Sequence, residues 1–136
     1  MLDDLKSNCR PEALQRLRWH QERGDKVLLC SASPRALLQG FADWLGVELI
    51  CTELVRSEGR WIAKLASPNC KGLEKVNRLT QYLGELGNYE LEAYGDSRGD
   101  KELLDVSMLP HYRNFISKPR RYPERSFIDR LFKSFY

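Results

Sequence analysis

Short apolar runs alternate with amphipathic helical stripes along this chain, and that alternation limits the folds open to it. Lys26 to Cys30 (KVLLC) is a continuous apolar run, too short for a helix and of the kind that forms a strand buried on both faces. Upstream, Pro11 suits a first helical position, Ala13, Leu14 and Leu17 supply a stripe, and Gly24 suits a C-terminal cap. Downstream, Ser31-Ala32-Ser33-Pro34 interrupts the run. Ser33 is expected as the N-cap and Pro34 as the first residue of a helix with Leu37, Phe41, Trp44 and Leu45 on one face and Gly46 at its end.

The pattern continues with a strand at Val47 to Cys51 and a β-hairpin over Glu53 to Leu65 that turns at Ser57-Glu58-Gly59. After Gly72, an amphipathic helix carries Leu73, Val76, Leu79, Leu83 and Leu86 and closes at Gly87. A short strand, Leu91 to Tyr94, runs into Gly95-Asp96-Ser97-Arg98-Gly99-Asp100. A short helix, Lys101 to Val106, and a last strand, His111 to Ile116, follow. Helices alternating with buried strands specify an α/β domain with a mainly parallel sheet.

The 136 residues are one domain's worth of chain and enough to enclose a core. No apolar run reaches bilayer-spanning length, and the N-terminus is too polar for a signal peptide. Cys9, Cys30, Cys51 and Cys70 form no CxxC pair, so reduced thiols and a cytoplasmic location are expected. The 22 basic residues exceed the 19 acidic ones by three. Residues 118–136 carry six basic and two acidic side chains, net +4, which leaves −1 for the remainder. The basic character belongs to the tail, so no nucleic-acid-binding face is expected on the body. Residues 1–117 are read as the α/β core. Residues 118–136 are read as a tail helix with Phe127, Ile128, Leu131, Phe132 and Phe135 on its apolar face. It is expected to dock on the body, with an anionic membrane surface as the alternative.

Open α/β sheets bind ligands at the carboxyl ends of their strands. Two such ends here are polar: Ser31-Ala32-Ser33, and Asp96 to Asp100. Asn69-Cys70-Lys71-Gly72 lies between them in sequence. Hydroxyls and N–H groups at a helix start suit a phosphoryl oxygen, a strand-end carboxylate suits Mg²⁺, and a lysine neutralises phosphoryl charge. As plain structure, the same residues would be turn and cap residues, and Lys71 and Lys75 surface charges. His20 is expected on the polar, exposed side of its helix, and His111 at a loop end. Trp19, Trp44 and Trp61 suit core packing or a helix face.

The strand-SAS-P, NC-x-G-x-x-KV and YGDSRGDKELL segments resemble motifs two, three and four of the haloacid dehalogenase superfamily. The resemblance is to the phosphoserine-phosphatase-like branch that includes bacterial phosphatidylglycerophosphate phosphatases, and it runs from about Arg10 to Phe115. It implies a partial three-layer Rossmannoid fold and a Mg²⁺-dependent phosphatase. Ser31, with Ala32 and Ser33, would bind the phosphoryl group. Lys75, preferred over Lys71, would be the motif-three lysine. Asp96 would bind Mg²⁺, and Asp100 would be the second acid, holding the metal's water shell or the lysine. The substrate would be a phosphorylated small molecule or a lipid phosphate.

The sequence departs from the family at motif one, the strand ending in Asp-x-Asp-x-Thr that provides nucleophile and general acid. No Asp-x-Asp occurs, and Asp3-Asp4 are adjacent rather than alternate. The chain therefore resembles the C-terminal part of such an enzyme, without the cap domain and without the central first strand. It is expected to be inactive alone, with motif one supplied by a partner chain or an upstream segment. The alternative is a non-catalytic relic or interaction module that keeps a phosphate and Mg²⁺ pocket.

Overall fold

The computed structural model describes residues 1–115. The helices are α1 (Leu2–Ser7), α2 (Pro11–Glu22), α3 (Arg35–Leu45), α4 (Leu73–Leu83) and α5 (Lys101–Asp105). The strands are β1 (Leu28–Pro34), β2 (Glu48–Thr52), β3 (Leu54–Ser57), β4 (Arg60–Leu65), β5 (Glu92–Gly95) and β6 (Leu109–Tyr112). Among the described residues the strands pair only in twos: β1 with β2 in parallel, β3 with β4 antiparallel, and β5 with β6 in parallel.

The alternation of side chains across β1 and β2 builds the layers. Leu29 packs in a cluster with Leu5 of α1, Ala13 and Leu17 of α2, and Leu38, Phe41 and Leu45 of α3. Cys30 and Ile50 face the other way, into a cluster with Cys70 and with Leu79 of α4. Helices thus cover both faces of the parallel pair, which is why the paired segments 28–30 and 49–51 are apolar throughout. The hairpin β3–β4 lies outside this core, with every β4 residue exposed. Its two-residue turn has Glu58 and Gly59 at φ 48° and 77°, the left-handed pair that matches strand twist.

Several local expectations are corrected. β1 does not break at Ser31 but extends to Pro34, so Pro34 (φ −66°, ψ 149°) is the N-cap and Arg35 the first helical residue. The Ser33 N–H donates to the Ser31 hydroxyl at 3.1 Å, which holds this stretch extended. In α3 Leu38 rather than Leu37 is buried with Phe41 and Leu45, and Leu37 is half-buried. α4 stops at Leu83, where Gly84 takes φ +83°, and Leu86–Asn88 is a separate 3-10 turn. Of the two placements expected for the tryptophans, Trp19 and Trp44 take the helix face, on α2 and α3, under Arg23 and Lys6, while Trp61 lies on β4; each is about 40% exposed. The N-terminal helix α1, which buries Leu5, was not anticipated. The last strand, expected over His111 to Ile116, instead runs from Leu109 to Tyr112, paired with β5. The tail expectation for residues 118–136 lies outside the described residues. Among those described, no helix is long and apolar enough to cross a membrane.

Leu38 is 2% exposed at the centre of the first cluster. Leu38→Ala is expected to destabilise the fold by about 3 kcal/mol, the usual range for an unfilled leucine cavity. Trp44→Ala, at an exposed ring, should cost less than about 1 kcal/mol; urea unfolding of the two variants checks the difference.

Candidate functional site

The carboxyl ends of β1 and β5 are tied together by one side chain. Lys75, on the first turn of α4, is 3% exposed; its Nζ donates to the Cys30 carbonyl at 3.2 Å and to Asp100 Oδ1 at 2.6 Å. Asp100, 2% exposed, uses Oδ2 for three further donors: the Asp96 N–H, the Ser97 N–H and the Ser97 hydroxyl, at 3.0 to 3.1 Å. Ser31, next to Cys30, is fully buried, and Asp96 is 6% exposed at the end of β5. The structure therefore brings Ser31, Lys75, Asp96 and Asp100 to one end of the two parallel pairs.

Local sequence explains each placement. Gly72, at φ +60°, directs the chain into α4 so that Lys75 points back toward β1. The Gly72 N–H bonds the Gly99 carbonyl at 2.9 Å, which joins the α4 start to the Asp96–Asp100 turn. Gly95 admits the Asp100 carboxylate, because a Cβ there would lie 2.6 Å from Asp100 Cβ. Ser97 and Asp100 close a reciprocal capping box. Of the two competing lysines, Lys75 is the buried, paired one. Lys71 is exposed, with its stem against Gly99. Ala32 and Ser33 are half-buried beside Ser31 on the extended end of β1.

Residues absent from the sequence reading also hold this end. The Thr52 hydroxyl at the end of β2 donates to Asn69 Oδ1 at 3.2 Å and accepts the Cys70 N–H at 2.9 Å, which pins the Asn69–Gly72 turn. Arg35 holds the Glu53 carboxylate at 2.7 to 3.1 Å, joining α3 to the hairpin base. Neither pairing has a short-range sequence signal.

A cavity of about 490 Å³ separates β1 from β5. Leu28 and Cys30 of β1 form one wall and Leu91 and Ala93 the other; Leu17 of α2 and Leu79 of α4 close it from opposite sides. Its boundaries are two strands and two helical layers, the surroundings of an interior strand. The α2 side is polar. His20, expected to be exposed, is 8% exposed, with Nδ1 2.8 Å from Asp25 and Nε2 3.0 Å from the Tyr94 hydroxyl. That hydroxyl donates to Glu92 Oε1 at 2.8 Å, and His111, within β6 rather than a loop, reaches the same oxygen at 2.7 Å. Burial, together with the bond to Glu92, raises the Tyr94 pKa above the usual phenol range. Burial acts to raise the Glu92 pKa, but the bonds from Tyr94 and His111 hold it below its ordinary value.

The family comparison agrees with this geometry. Residues 2–105 match the haloacid dehalogenase-like hydrolase family. The chain belongs to that family. It is 35% identical over 116 residues to Protein CicA of Caulobacter vibrioides, in strains NA1000 / CB15N and ATCC 19089 / CIP 103742 / CB 15; the match covers 83% of this chain and 51% of each relative. A crystal structure of a protein of unknown function from Bordetella pertussis Tohama I superposes with a TM-score of 0.64 at 27% identity, covering 68% of this chain and 44% of that one. The chain thus spans about half the length of the curated relatives it matches.

Removing one partner of a buried ion pair leaves the other uncompensated. Lys75→Met is expected to cost on the order of 3 kcal/mol of stability, with part of the loss recovered in the double variant Lys75→Met/Asp100→Asn. Chemical denaturation of the set measures the coupling. Gly95→Ala should destabilise comparably, since its methyl meets the Asp100 stem rather than a flexible side-chain end.

Proposed function

We propose that this chain is the phosphate- and magnesium-binding part of a haloacid dehalogenase-like phosphatase and becomes a phosphomonoester hydrolase only when a first-motif strand joins it. The observation that carries this reading is the buried Lys75 ammonium, set between the end of β1 beside Ser31 and the Asp96–Asp100 turn. A cation held there neutralises a phosphoryl group presented to Ser31, Ala32 and Ser33. Lys71, exposed at the rim, is placed to meet charge on the rest of the substrate.

The carboxylates divide the metal work. Asp96, a hard oxygen donor at the strand end, suits Mg²⁺. Asp100 positions Asp96 and Lys75 instead, because its Oδ2 already takes three donors and its Oδ1 takes Lys75. Binding by this chain alone is weak, because the family's site takes further ligands from the first motif, which the added strand brings. Bound Mg²⁺ would supply charge stabilisation to the phosphoryl oxygens. The nucleophile and the proton-transfer group are left to the added strand.

The cavity between β1 and β5 is the seat for that strand. A parallel, apolar strand from a partner chain or an upstream segment pairs with both facing edges and delivers its terminal aspartates beside Ser31 and Lys75. The substrate is a phosphorylated small molecule or a lipid phosphate, and nucleic acid is not a ligand.

The test combines binding and turnover. Inorganic phosphate with Mg²⁺ should shift the amide resonances of Ser31 to Ser33, and Ser31→Ala should weaken that binding roughly tenfold, the value of one hydrogen bond to a charged group. The chain alone should not hydrolyse p-nitrophenyl phosphate. Adding an apolar peptide ending in Asp-x-Asp-x-Thr should produce turnover that Lys75→Ala abolishes. A rate from the chain alone that disappears in Asp96→Asn would show that the chain needs no added strand.

A further inference from the structure

Cys30 and Cys70 lie 40 residues apart in sequence, yet their sulfurs are 3.9 Å apart inside the second core cluster. Cys30 ends the apolar part of β1, and Cys70 sits in the Thr52-pinned turn that leads into Gly72 and α4. We propose that this pair is a redox modification site: hydrogen peroxide converts it reversibly to a disulfide that clamps the Asn69–Gly72 turn onto the end of β1.

Geometry, environment and access each support this. A disulfide needs the sulfurs at about 2.05 Å, so closure requires a movement of about 2 Å from the 3.9 Å contact. That is within reach of a turn held by side-chain hydrogen bonds. The two thiols ionise unequally. The hydrogen bond from Cys30 lowers the Cys70 pKa against the opposing effect of burial, helped by the charges of Lys75 and Arg78. The same bond and burial raise the Cys30 pKa. A thiol whose ionisation is favoured, beside one whose ionisation is not, is the arrangement that sulfenic acid formation and resolution use. Cys30 lines the 490 Å³ cavity, and the Cys70 sulfur lies directly behind it at 3.9 Å, so a small oxidant reaches the pair past Cys30.

The chemistry balances. The Cys70 thiolate attacks one peroxide oxygen, the O–O bond breaks, and hydroxide leaves, giving a sulfenic acid. The Cys30 sulfur then attacks the Cys70 sulfur. The S–S bond forms, the S–O bond breaks, and the departing hydroxyl takes the Cys30 proton as water. Each sulfur gives up one electron, and the two peroxide oxygens are reduced.

The consequence follows from what the two residues adjoin. The Cys30 carbonyl accepts from Lys75, and Cys70 precedes Lys71, so the bond would stiffen the segment that carries both lysines. The experiment uses the full chain. Peroxide followed by thiol blocking should give a species lighter by two hydrogens before blocking, with two blocked thiols instead of four. A peptide joining Cys30 to Cys70 should be recovered, and dithiothreitol should reverse the change. Amide exchange over residues 69–75 should slow in the oxidised form. Cys9→Ser/Cys51→Ser should form the same cross-link, with no blocked thiol instead of two. Four thiols surviving excess peroxide, a cross-link to Cys9 or Cys51, over-oxidation of Cys70 without a cross-link, or a cross-link that leaves exchange over 69–75 unchanged would each overturn the proposal. Because these readouts are covalent and conformational, they stand apart from the phosphate titration that tests the site itself.

Discussion

The Lys75–Asp100 pair is the contact on which the arrangement of this chain depends. Two charges at 2.6 Å with almost no solvent contact are costly to desolvate. They persist because each is supplied with further partners: the Cys30 carbonyl for the ammonium, and two backbone N–H groups and a hydroxyl for the carboxylate. β1 and β5 share no ladder, so this bridge takes the place of strand pairing at their carboxyl ends. The chain thereby concentrates buried charge at one end of the two parallel pairs and leaves a cavity between β1 and β5.

That space explains several features that are otherwise costly. The facing edges of β1 and β5 carry backbone groups that a neighbouring strand would satisfy. Polar side chains gather nearby: His20, Tyr94, Glu92 and His111 form a continuous network, of which the first three line the cavity. A histidine at the buried end of a mostly polar helix is accounted for by this network, since a buried imidazole needs partners for both nitrogens. Cys30 stands where the cavity, the charged bridge and the second core meet. A change at its sulfur is felt by the lysine its carbonyl holds.

The sequence by itself determined the class of fold. KVLLC, the stripe through Leu79 and Leu83, and the polar strand ends at Ser31 and Asp96 specify buried parallel strands between helices, because such strands admit no polar face. Gly46 and Gly59 marked their turns through the positive φ each adopts. The order of the three motifs selected the family, and the motif spacing favoured Lys75. Tertiary structure decided what depends on distant partners. Whether Lys75 is buried or solvated rests on Asp100, 25 residues later, and on a β1 carbonyl 45 residues earlier. The burial of His20 rests on Tyr94, 74 residues away. The Cys30–Cys70 contact follows from laying α4 against β1. The limit of β1 at Pro34 came from a serine hydroxyl that bonds its own strand rather than a helix. Periodicity records which face of an element is apolar; which polar group meets which is set only when the layers close, because a hydrogen bond across 25 to 74 residues leaves no local pattern in the chain.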